Sequence, residues 1–155
     1  MKSRLIASLA LGAAVVLGAT GCNMIAPQAT TIDYSPSDGV NVPDSGPILV
    51  RNAMIITDDE GVSGNFLAAL VNDTDEDLEL IVGLGDEVQI IPVDARDVVS
   101  LGVDTAPMLF QDLDTPAGAT IEVAFQSGEG SGVAIEVPIL DGELPYYADF
   151  VPTFG

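Results

Sequence analysis

The sequence predicts an all-β fold, an antiparallel sandwich of about seven strands. Three observations carry that prediction. Apolar, often β-branched residues recur at period two in one segment after another. Clusters of Asp, Asn, Gly and Pro separate those segments. After residue 22 no stretch shows a 3.6-residue period bounded by helix caps.

The elements follow in order. In the run 47–57, Ile48, Val50, Met54 and Ile56 share one face with Asn52. In 65–71, Phe66, Ala68 and Leu70 alternate with Leu67, Ala69 and Val71. Leu78, Leu80, Val82 and Leu84 fall at period two, and so do Val88 and Ile90. Ile121, Val123 and Phe125 repeat the pattern, followed by Val133, Ile135, Val137 and Ile139. Turn signals stand between them at 58–61, 72–75, 85–86, 116–118 and 128–132.

Ahead of this body lies a different kind of segment. Lys2 and Arg4 precede an apolar, small-residue run from Leu5 to Leu17, then Gly18-Ala19-Thr20-Gly21-Cys22. A basic start, an apolar stretch of about a dozen residues and small residues before a cleavage point describe a secretory signal. The run is shorter than the ~20 apolar residues of a typical membrane span. Ala19-Thr20-Gly21-Cys22 resembles the lipobox of bacterial lipoproteins, with Ala19 where Leu is usual. That resemblance implies cleavage before Cys22 and a thioether from Cys22 to diacylglycerol. The alternative is an ordinary secreted protein with Cys22 as a free thiol; a lone Cys cannot form an internal disulfide. The domain reading is therefore a signal peptide at 1–21, a lipid-anchored tether at 22–46, a β-sandwich at 47–141 and an aromatic tail at 142–155. Within the tether, Thr30 to Tyr34 reads as a short edge strand and Ser37-Asp38-Gly39 as a turn.

Composition removes several functions. The chain has 24 Asp and Glu, 4 Lys and Arg, and no His or Trp. Once the signal is removed, Arg51 and Arg96 are the only bases left. Nucleic-acid binding, which needs clustered Lys and Arg, is excluded as a partner class. Charge-driven adhesion to anionic lipid is excluded on the same ground. No imidazole is available as base, metal ligand or pH switch. A Ser nucleophile would lack a His or Lys base. Carboxylate-pair glycoside chemistry stays formally open, but the body offers no Trp and few aromatics as a sugar platform. No cofactor is expected, because Gly-rich segments lack the Lys and following helix of a phosphate cradle.

Three local features resemble functional motifs, and each has a plain structural alternative. Asp44-Ser45-Gly46 matches the aspartic-protease triplet, yet the mechanism needs two carboxylates sharing a proton and only one triplet is present. The plain alternative is a turn into the first body strand. Asp73-Thr74-Asp75-Glu76-Asp77 begins like an EF-hand loop, but Leu78 and Leu84 occupy the positions that require Gly and Glu. A looser calcium site from Asp73, Asp75 and Asp77, or from Asp58, Asp59 and Glu60, competes with a solvated acidic turn. The tail gathers Tyr146, Tyr147, Phe150 and Phe154, half of the aromatics in a chain with 3 Tyr and 5 Phe. These four are partner-binding candidates, or a final element docked on the sandwich. Docking is favoured, because exposed aromatics form costly patches.

Residues 46–53, 64–72 and 77–80 resemble the opening strands of the periplasmic copper-chaperone family that serves the dinuclear copper centre of cytochrome oxidase. Residues 107–113, 116–123 and 133–139 resemble its closing strands, and actinobacterial lipoproteins of this kind share the lipobox and the turn at 37–40. The resemblance implies an immunoglobulin-like, cupredoxin-like sandwich and copper held by two His and two Met. This chain has no His, and only Met108 sits in the segment resembling the ligand strand. Met24 lies beside the anchor, and the parity of Met54 places it in the core. The expectation is a non-enzymatic, lipid-anchored binding or scaffold module outside the cytoplasmic membrane, held there through Cys22 and meeting another envelope protein. The alternative is a metal-handling lipoprotein, copper chaperone-like or weakly calcium-binding.

Overall fold

A computed structural model describes residues 37–58 and 60–153, together with Ile6 alone among the residues before them. The signal peptide, Cys22, Met24, the strand expected at 30–34 and Phe154 lie outside the described residues. All the described strands belong to one compact unit, Ser35–Gly155. The folded unit thus takes in residues assigned to the tether from 37 onward, where Val42 and Ser45 are buried, and the tail as far as 153.

Nine strands form among the described residues: β1 Val40–Val42, β2 Ile48–Thr57, β3 Gly64–Asn72, β4 Leu78–Leu84, β5 Glu87–Val93, β6 Val98–Leu101, β7 Met108–Phe110, β8 Thr120–Ser127 and β9 Val133–Leu140. The all-β sandwich is the observed class. β5, β4, β8 and β9 make one sheet; β2 and β3, with β1, β6 and β7 on their edges, make the other. The two are joined where β9 runs beside β2, in the one parallel pairing among antiparallel ones. The core between them is aliphatic, as the sparse aromatics require, with Phe66, Phe110 and Phe125 at its centre. Phe66 meets Phe110 edge-on at 6.3 Å between ring centroids, within the range that aromatic pairs favour.

Four of the expected strands turn one of their alternating rows into the core. Leu80 and Val82, Val123 and Phe125, Val137 and Ile139, and Phe66 and Leu70 all point inward. Two strands depart from the sequence reading. In β2 the pairing passes from Arg51↔Ala69 to Met54↔Leu67, so one extra residue is inserted. Asn52 takes up the slack at φ +52°, a left-handed conformation that Asn tolerates better than most residues. Its side chain accepts from Gly39 N at 2.9 Å, and its N–H donates to Asn41 Oδ1 at 3.1 Å. The bulge reverses parity. Ile48 and Val50 share the inner face with Ala53 and Ile55, whereas Met54 and Ile56 turn outward. The single-face expectation for Ile48, Val50, Met54 and Ile56 is thereby corrected.

β5 is the second departure. Val88 and Ile90 keep period two but face solvent, at 62% and 57% exposure. Val93, of opposite parity, is the buried one. The reason is Gln89, whose amide donates to Leu109 O at 2.7 Å and to Glu87 Oε1 at 2.8 Å. With its amide satisfied, a polar residue can occupy the inner side and brace β7.

Candidate functional site

Three places carry the candidate residues. The first is the outer face of the β2–β3 sheet, where the tail folds back. Met54, Ile56 and Leu67 form a second apolar cluster with Tyr147, flanked by Leu140, Phe150 and Val151. A 3-10 turn at Ala148–Phe150 shapes the tail over them. Gly142 permits the approach, since a Cβ there would run into Val151. Asn65 Nδ2 donates to Phe150 O at 2.8 Å, and the Tyr147 hydroxyl donates to Asp38 Oδ2 at 2.6 Å. Burial, the bond to Asp38 and that carboxylate's charge push the Tyr147 phenol well above the ordinary tyrosine range. Of the four aromatics offered as partner contacts, Tyr147 is only 8% exposed and Phe150 is partly covered, whereas Tyr146 is 60% exposed. A cleft of about 270 Å³ remains beside the tail, bordered by Asn52, Met54, Leu101, Val103, Tyr147 and Phe150.

The second place is the acidic turn after β3. Asn72 is buried and organises it: Oδ1 accepts from Thr74 N and Thr74 Oγ1, and Nδ2 donates to Glu76 O at 2.8 Å and Asp94 O at 3.0 Å. Asp75 pairs with Arg96 at 2.8 Å, and Asp77 Oδ1 accepts from Ala95 N at 2.9 Å. Asp73 stays exposed. Two of the three carboxylates are thus turned to separate partners, and no cluster of three metal-binding side chains forms among the described residues. The Asp75–Arg96 pair is largely solvated and contributes little to stability.

The third place is β7. Met108 pairs with Phe66 across β3–β7, is 8% exposed and packs in the main core. The Asp44-Ser45-Gly46 triplet is a structural corner. Ser45 Oγ donates to Ile48 O at 2.7 Å, and Ser45 O accepts from Ser127 N and Oγ.

No protein-family model and no curated protein matches the chain. Solved structures do. The apo PCuAC domain from PmoF1 superposes with a TM-score of 0.53 at 14% identity, over 64% of this chain and 98% of that one. The chain has the PCuAC fold. The copper-bound PCuAC domain from PmoF2 gives 0.52 at 13% identity, over 66% of this chain and 98% of that one. The apo form of the PmoF2 domain gives 0.50 at 13% identity.

Whether this PCuAC fold can hold copper is a question about donors. Copper(I) favours thioether and thiolate sulfur, and imidazole also suits copper. The chain has no His. Met108 is enclosed in the apolar main core, paired with Phe66, while Met54, 3% exposed, sits under the tail on the opposite face of its sheet. The described residues therefore do not fit a copper(I) site.

One surface that the sequence reading missed is the outer face of the β5–β4–β8–β9 sheet. Val88 and Ile90 stand exposed there beside Ile81, with Gly83, Ala124 and Ala134 between. The signal was present in the alternation, which cannot say which parity faces in.

Proposed function

We propose that this chain is a lipid-anchored, non-enzymatic binding or scaffold module on the outer face of the cytoplasmic membrane. The observation that carries the reading is a PCuAC fold on a chain that has no His and whose described methionines, Met54 and Met108, are buried apart in separate apolar clusters. The framework is kept without any imidazole ligand and with Met108 closed in the core, so the surface is left as the working part. Anchoring is supported by Ala19-Thr20-Gly21-Cys22 after an apolar run. Two acyl chains at Cys22 would hold the protein stably, where a single chain is marginal. A non-enzymatic role is supported by the lack of His and by carboxylates as the only general bases outside the signal.

The anchor is tested by Cys22→Ala. The expected outcome is release from the membrane fraction or stalled processing; unchanged attachment and maturation would refute it. A second reading, copper handling, is favoured by the copper-bound PmoF2 neighbour. Competition against a chromogenic copper(I) chelator separates the two. We expect no stoichiometric withdrawal of copper by the protein. Withdrawal abolished by Met108→Leu would restore the copper reading.

A further inference from the structure

The outer face of the β5–β4–β8–β9 sheet is laid out in rows across the strands. Val88, Gly83, Ala124 and Ala134 are paired neighbours and form one row. Ile90, Ile81 and Gln126 form the row on one side. Glu122 and Glu136, also paired, lie on the other side. Adjacent same-face rows are about 7 Å apart. The middle row is low at Gly83, Ala124 and Ala134, and a groove of about 380 Å³ lies there, bounded by Ile81, Val88, Gln126 and the segment 131–133, with Glu122 and Glu136 one row beyond it.

Two features of this face are not explained by the fold itself. Gly83 has no left-handed backbone, and a Cβ there would only make ordinary contacts, the nearest at 3.7 Å to Ala124 Cβ. Gly inside a strand weakens it and often marks close approach of another backbone or a ligand. Glu122 and Glu136 stand directly opposite each other, both exposed, an arrangement that destabilises a sheet. Thr120 Oγ1 donates to Glu136 Oε2 at 2.6 Å, but the only ion pair among the described residues is Arg96–Asp75, elsewhere.

We propose that this face docks a polypeptide segment that sets an aliphatic side chain into the Gly83–Ala124–Ala134 groove and a Lys or Arg over Glu122 and Glu136. The proposal rests on the binding-module reading and names its surface and partner chemistry. Charge decides the occupant. A chain with 24 acids and 4 bases would bring like charges together if a second copy docked on this face. A cationic partner relieves the Glu122–Glu136 repulsion, and its aliphatic side chain covers Ile81, Val88 and Ile90.

The test uses the full-length chain in non-ionic detergent micelles and three synthetic peptides, alternating Lys-Val, Lys-Ser and Glu-Val, titrated with amide chemical shifts as readout. Saturable binding of the Lys-Val peptide is expected, with shifts centred on Ile81, Gly83, Ala124 and Ala134. Gly83→Leu, which fills the groove, should weaken it by about tenfold or more. Glu122→Gln with Glu136→Gln, at exposed positions that leave folding intact, should weaken it several-fold. Equal binding of the Lys-Ser peptide, or an affinity unmoved by both variants, would overturn the proposal. So would a concentration-dependent dimer in sedimentation that Gly83→Leu abolishes, since the occupant would then be a second copy. Failure of the Cys22 or copper tests leaves this titration unaffected, so the two readings fall separately.

Discussion

The two sheets treat their outer faces differently. On the β2–β3 sheet, Met54, Ile56 and Leu67 are apolar and covered by the chain's own tail. On the β5–β4–β8–β9 sheet, Ile81, Val88 and Ile90 are apolar and uncovered, flanked by carboxylates. One face holds larger residues and a tyrosine latch, the other a floor of Gly and Ala. The contrast shows that an apolar outer face is not in itself a binding surface. What matters is whether the same chain supplies the cover.

Removing the cover should give the largest effect. Ending the chain at Glu143 deletes Tyr147, Phe150 and Val151 from their cluster, and should cost about 3–6 kcal/mol in denaturant unfolding. Unchanged stability would mean that the two faces do not differ as described. The latch is a smaller term. Tyr147→Phe removes the bond to Asp38 and should cost about 1–2 kcal/mol. It also has a pH signature. The folded Tyr147 holds its proton more tightly than an unfolded tyrosine, which titrates near pH ~10. Its contribution is therefore complete below that pH and is lost as pH rises above it toward the higher folded value. The parent should lose stability faster than Tyr147→Phe above pH ~10, and in parallel with it near neutrality. The uncovered face should give the smallest effect, with opposite sign. Gly83→Ala should raise stability by about 0.5–1 kcal/mol, because the added methyl fits and restricts the unfolded chain. A loss there would mean that the fold itself requires Gly83.

Much of the sandwich was legible because burial on one side writes alternation into a strand. β4, β8 and β9 alternate cleanly, each with one row turned into the core. β2 does not, and the bulge at Asn52 explains why: one inserted residue flips every side chain after it. The continuous run Ala53-Met54-Ile55-Ile56 did hold a hint, since a strand buried on both faces loses its polar alternation. β1 and β7 have 3 residues each and β6 has 4, too short for any period to be read. The tail was conspicuous for its aromatics, but composition carries no direction, so docking at Tyr147 became visible only with Asp38 beside it. The apolar groove was hidden by an inversion, Gln89 inside and Val88 and Ile90 outside. That inversion depends on a carbonyl of Leu109, 20 residues away.

The bond between Tyr147 and Asp38 joins residues 109 positions apart in the chain. Asp38 lies near the start of the described unit and Tyr147 near its finish, so entrance and exit meet at one spot on its surface. Such a unit can be rewired: a short linker joining the two ends, with new ends opened at the exposed Gly85-Asp86 turn, preserves every strand pairing. In the natural order the same adjacency ties both ends together, so a pull applied at the entrance must break the phenol–carboxylate clasp before it can peel β1 from β2.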